Sequence, residues 1–177
     1  MRIALVVLIL LLSLSGCEEK IRPTVLPEVD SRSLPQQESW NSTVLLSDTG
    51  LTKALIRAGY IRVYEDPRQT LLSDGVVVDF FDSEERRTSI LTSNEAKVND
   101  LTNDLEAWGT VVVVSLEDST TLKTERLFWD NRRQLIHTQE FVRIVGTKER
   151  IQGHGLEAQQ NLRNYRIFRV SGEAQAK

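Results

Sequence analysis

The chain has 177 residues, with 22 lysines and arginines against 25 aspartates and glutamates, a net charge of −3, and a single cysteine. That balance excludes the strongly basic surface that nucleic acid favours, and one thiol excludes an internal disulfide framework. A body without such staples is held by its own core, and the roughly 140 residues beyond the first forty suffice for one.

The N-terminal stretch begins with Arg2 and runs through Ile3–Leu12 (IALVVLILLL) to Ser13, Ser15 and Gly16. A charged start before a short apolar run is the pattern of a secretory signal, and a bilayer span needs about 20 apolar residues. Leu14-Ser15-Gly16-Cys17 resembles the bacterial lipobox, in which small residues enter a protease cleft and the thiol takes a diacylglyceryl group. The expectation is a signal peptide over 1–16 and an acylated Cys17. Two or more acyl chains give a firm membrane anchor, at about 0.8 kcal/mol per buried CH₂. Residues 17–39 hold three prolines and little hydrophobic periodicity, and read as a tether. A flexible tether of about 20 residues covers about 25 Å on average and about 70 Å when taut.

From Trp40 to Lys177 the texture is that of a β domain. Gly75–Phe81 (GVVVDFF), Gly109–Ser115 (GTVVVVS), Glu140–Val145 (EFVRIV) and Tyr165–Val170 (YRIFRV) are strand-like in composition and length. Turn-prone pieces lie between them: Asp66-Pro67, Ser73-Asp74-Gly75, Glu117-Asp118-Ser119, Asp130-Asn131 and Gly153-His154-Gly155. Leu51, Leu55 and Ala58, and again Leu101 and Leu105, fall at helical spacing, but both stretches are short and their surroundings favour strand.

Apolar positions recur 31 residues apart: Leu91 and Leu122, Leu105 and Ile136, Val111 and Val142, Val113 and Ile144. A weaker third copy opens at Ile151. Units of two or three strands that cannot bury their apolar face alone are expected to stack into an antiparallel sandwich or rolled sheet. Within Thr121–Asp130, Leu122 and Thr124 share one parity, while Leu127 and Trp129 share the other. A bulge or bend between them brings all four to one face. Val111–Val114 is apolar on both parities, which predicts a strand covered on both sides or lying against a partner.

No catalytic, metal or cofactor motif emerges. G-x-S-x-G, Gly-rich phosphate loops and H-E-x-x-H are all missing. His137 and His154 read as exposed turn histidines. Asp79, Asp82 and Glu84-Glu85 form an acidic group that a hydrolase could use, but they read as a solvated loop. Arg86-Arg87 and Arg132-Arg133 could hold phosphates or keep hairpin tips soluble. Trp40, Phe80, Phe81, Trp108, Phe128, Trp129, Phe141 and Tyr165 could line a lipid groove or fill a core.

The ordered series "GVVVDFFDSEERRTSILTSNEAKVND", "GTVVVVS", "TLKTERLFWD" and "GHGLE…NLRNYRI" resembles the LptC family, the periplasmic component of the lipopolysaccharide export bridge. "QESWN" after a Pro-rich tether points to its lipoprotein-like branch. The resemblance implies an all-β, V-shaped antiparallel β-jellyroll like that of LptA, whose interior holds the acyl chains of lipopolysaccharide. It implies transfer from an inner-membrane ABC transporter to an LptA-like protein through the sheet edges, without hydrolysis. The alternative is a structural envelope lipoprotein that scaffolds β-sheet assembly. The expected location is periplasmic, lipid-anchored, with the inner membrane favoured.

The inward parity nominates Val78, Phe80, Leu91, Ala96, Val98, Val111, Val113, Leu122, Leu127, Trp129, Val142 and Ile144 as lipid-binding. Gly155 matches a family glycine near the C-terminal partner edge and is expected to serve close backbone approach or a positive φ. Two departures stand out. Cys17 and lipid take the place of the usual transmembrane helix, and Ala158 and Gln159 stand where relatives carry an acid.

Overall fold

The structure, a computed structural model, describes residues 34–147 and 150–171. Cys17, the signal peptide and most of the tether lie outside the described residues. Ten antiparallel strands follow one another: β1 Gln37–Asp48, β2 Leu51–Glu65, β3 Arg68–Phe81, β4 Arg87–Ser93, β5 Glu95–Asn99, β6 Leu105–Ser115, β7 Thr121–Asp130, β8 Leu135–Val145, β9 Arg150–Gln159 and β10 Tyr165–Val170. They make one sheet in the order β1-β2-β3-β4-β6-β7-β8-β9-β10, with β5 paired to β3 and β6. The protein is an all-β antiparallel jellyroll. Strand composition prevails over the two helical spacings: Leu51, Leu55 and Ala58 lie in β2, and Leu101 lies in the turn before β6.

β4 and β5 act as one strand broken at Asn94. β4 covers Val76–Phe81 of β3, and β5 covers Gln69–Leu72. The same break runs across the sheet. On β6, Trp108 pairs with Arg126 and Val111 with Thr124, so β6 uses three steps where β7 uses two. Equivalent shifts lie between Ala58 and Tyr60 on β2, Lys123 and Phe128 on β7, and Thr138 and Phe141 on β8. The line of bulges is a crease, because an extra residue bends its strand and raises its twist.

Two turn expectations fall on this crease and are corrected by it. Ser73-Asp74-Gly75 lies inside β3 and Gly153-His154-Gly155 inside β9. The positive φ of Asp74 (61°), Gly75 (85°) and Gly155 (75°) serves a bend within a strand rather than a chain reversal.

The crease divides the sheet into two layers that close on each other. The first holds Leu51–Ala58, Val76–Phe81, β4, Val111–Ser115, Thr121–Thr124 and Phe141–Val145. The second holds Tyr60–Glu65, Arg68–Ser73, β5, Leu105–Trp108, Arg126–Asp130 and Leu135–Thr138. Phe80 of the first meets Trp129 of the second, ring centroids 5.1 Å apart. The parity switch expected in β7 occurs: Leu122, Thr124, Leu127 and Trp129 are all buried, with the register shift between them.

The 31-residue spacing is the length of one hairpin. It carries Leu91 of β4 to Leu122 of β7, and Val113 of β6 to Ile144 of β8, each two strands away, so that Leu91, Val113, Leu122 and Ile144 form one row in the interior. Val112 and Val114 are half-buried on the outer face. No described element covers β6 there; Val112 instead shares a shallow depression with Lys123, Phe141 and Arg143.

Candidate functional site

The interior is apolar from β2 to β9. All twelve residues nominated from parity lie in it, each with 1 % or less of its surface exposed. Ile56, Leu72, Leu105, Ile136 and Leu156 stand beside them, each 2 % exposed or less. These five follow the same alternation, and carrying the parity across every bulge would have found them. The twelve come together as one cluster because each strand changes parity at the crease. In this state the two layers touch and the interior is filled by its own side chains.

The aromatic set divides. Phe80 and Trp129 are inside, whereas Trp40, Phe128 and Phe141 lie on the outer face or an edge. Trp40 stacks on Tyr60 at 5.4 Å. His137 and His154 are on strands rather than in turns, against Phe128 at 5.4 Å and Phe141 at 5.2 Å. Among the described residues no group of three or more His, Cys, Asp or Glu could hold a metal ion.

The acidic group is used in structure. Asp79 points outward from β3 and is buried under two arginines, Arg57 at 2.8 Å and Arg87 at 3.3 Å. Asp82 ties the β3–β4 turn by accepting from the Glu84 and Arg86 backbone N–H groups at 2.9 and 3.0 Å, and from Arg86 Nε at 3.0 Å. The Arg86 N–H, followed by its guanidinium and the Glu84 N–H, holds the Asp82 carboxyl below the usual carboxylate range. A depressed folded value contributes stability above the unfolded value, near 3.9, and loses it as pH falls through the folded one. The urea midpoint of the native chain is therefore expected to exceed that of Asp82→Asn at pH 6, with the gap closing as pH falls below the unfolded carboxylate value and through the lower folded one. A gap independent of pH would count against this account of the turn.

The sheet ends without closing. β1 pairs only with β2, and β10 only with β9, among the described strands. Trp40 and Leu45 on β1 and Phe168 and Val170 on β10 are exposed. An edge strand presents unpaired main-chain groups, which natural sheets blunt unless they are used. Gly155 lies one strand inside the C-terminal edge. Its φ is +75°, and a Cβ there would meet Phe168 Cδ2 at 2.7 Å. Gly153 is tighter still, because a Cβ there would strike the backbone oxygen of Arg169 and Ile167 Cγ2. These two glycines let β10 lie close on β9.

Sequence patterning also missed the β9–β10 turn. Gln160 and Leu162 are buried in it, among polar neighbours. Gln160 Oε1 accepts from Trp129 Nε1 at 3.1 Å, Gln160 Nε2 donates to the Phe81 carbonyl at 2.8 Å, and Ser89 Oγ donates to the Gln160 carbonyl at 2.6 Å. A leucine alone in a polar turn was the available signal.

A folded-over antiparallel sheet with an apolar interior and two open edges defines a β-jellyroll. The family model described as "Lipopolysaccharide-assembly, LptC-related" matches residues 3–171, and the chain belongs to the LptC family. No curated protein matches the chain. Membership implies a part in lipopolysaccharide transport, in a family of envelope proteins with a periplasmic domain. No helix among the described residues is long and apolar enough to cross a membrane.

Proposed function

We propose that the protein is the periplasmic lipopolysaccharide-binding component of the export bridge. It accepts lipopolysaccharide from the inner-membrane ABC transporter at one sheet edge and passes it to an LptA-like protein at the other. It is held at the membrane through acylated Cys17, catalyses no reaction and needs no cofactor. The observation that carries this reading is the continuous apolar interior bounded by two open edge strands.

The physical reasons are two. A multi-acyl lipid moving through water exposes hundreds of Å² of hydrocarbon at about 25 cal/mol per Å², a barrier that an apolar interior removes. Strand addition at β1 and β10 extends the sheet from protein to protein through main-chain hydrogen bonds. Lipid enters by parting the two layers, with Val78, Phe80, Leu91, Ala96, Val98, Val111, Val113, Leu122, Leu127, Trp129, Val142 and Ile144 turning their contacts from one another to acyl chains. Gly155 keeps β10 seated at the C-terminal partner edge.

The closed interior favours a second reading, an envelope lipoprotein that scaffolds β-sheet assembly around a filled core. Photocrosslinking separates the two. A photoreactive residue at Val113 or Leu127 is expected to capture lipopolysaccharide in cells, and one at the exposed turn position Arg132 is not. Capture from Arg132 alone would favour the scaffold.

A further inference from the structure

The two layers meet at the crease on one side, and their free ends form a mouth on the other. The first layer ends there in the Phe81–Arg87 and Ser115–Thr121 connections, and the second in the Gln159–Tyr165 connection. The β9–β10 turn makes polar contacts that span the mouth. Gln160 binds the Phe81 carbonyl and the Ser89 hydroxyl of the first layer, and its amide oxygen is held by Trp129. Arg163 forms a two-pronged ion pair with Glu117 of the β6–β7 turn. Leu162, 2 % exposed, fills the space beneath.

Leu162 adopts φ 59°, a left-handed conformation uncommon for a branched side chain. Its amide bonds Gln159 O at 2.9 Å, and Asn161 Oδ1 accepts from the Arg163 amide at 3.1 Å. The turn is thus a tight plug hinged on β9 and β10, seated in the opposite layer by side-chain bonds.

We propose that the β9–β10 turn is a latch across the mouth, and that it must release for an amphiphile with several acyl chains and a bulky polar head to pass. The inference rests on the reading of the interior as a lipid site. The argument is geometric. Acyl chains inside the interior join a head outside it, so the junction between them travels along the mouth. Any bridge from one lip to the other stands in its path. Gln160, Leu162 and Arg163 form that bridge next to the C-terminal edge, where the proposed hand-off occurs. The release is local, because the turn connects the last two strands and leaves β1–β8 paired.

The test uses the purified full-length chain, fluorescently labelled hexa-acyl lipopolysaccharide and hydrogen exchange read by mass spectrometry. Gln160→Ala is expected to speed exchange in the segments around Phe81–Leu91 and Leu156–Tyr165, to leave Leu105–Ser115 unchanged, and to accelerate lipopolysaccharide uptake about tenfold. Arg163→Ala, at an exposed position that leaves the core intact, is expected to act in the same direction by about threefold, and less at high salt.

Unchanged exchange, or exchange raised evenly over all strands, would overturn the latch. So would unchanged uptake in a chain that binds lipopolysaccharide. Local release with no uptake by native or variant chain would support the latch and instead remove the lipid reading.

Discussion

Replacing Trp129 by alanine is expected to lower the unfolding free energy by about 3–5 kcal/mol, the range for a large aromatic lost from a packed core. With a urea slope of about 2 kcal/mol per molar, the midpoint falls by about 2 M. Trp129 is 1 % exposed, packs at a tilt against Phe80 across the two layers, and donates its indole N–H to Gln160. Truncation leaves a cavity where the layers meet and strands a buried amide oxygen. Trp40→Ala is the control: Trp40 is 64 % exposed and lies on edge strand β1 against Tyr60, so its loss is expected to cost less than about 1 kcal/mol. Equal effects of the two substitutions would show that Trp129 does not join the layers.

Gly153→Ala is expected to lift β10 from β9 while the rest of the sheet stays paired. The new methyl would collide with the backbone oxygen of Arg169, which cannot swing aside as a side chain can. Overpacking of this kind costs about 1–3 kcal/mol, and here the strain is relieved by moving a short terminal strand. Amide exchange should rise throughout Tyr165–Val170, and capture of an LptA-like partner should fall at least tenfold if β10 is the docking edge. Gly155→Ala is expected to be milder, because its methyl meets the ring edge of Phe168, which is half-exposed and can turn away. The left-handed φ still costs of order 1 kcal/mol there. Native-like exchange in Gly153→Ala would mean that β10 is seated by something other than its closeness to β9.

The comparison between the tryptophans and that between the glycines rest on information that local pattern lacks. Trp40, Trp108 and Trp129 all follow or precede strand-like runs, yet only the last is inside. Gly153 and Gly155 look like a turn because glycines usually punctuate chains. Their flanking residues keep pairing with β8 and β10, and pairing partners nine or more residues away decide the matter.

The sequence alone determined the all-β class, the hairpin period and an inward face for strands β3 to β8, because a pleated strand alternates its side chains and one wrong step would put every apolar group in water. It even placed the bend in β7, since Leu122, Thr124, Leu127 and Trp129 cannot share a face without one. Tertiary structure decided that bends in neighbouring strands align into one crease, that the layers close into a filled interior, and that Gln160 reaches Phe81 and Ser89. The Gln160–Phe81 and Gln160–Ser89 bonds join residues 79 and 71 positions apart. A polar turn carries no periodicity, so such a bond exists only once the sheet has folded over and placed the free ends of its two layers within hydrogen-bonding distance.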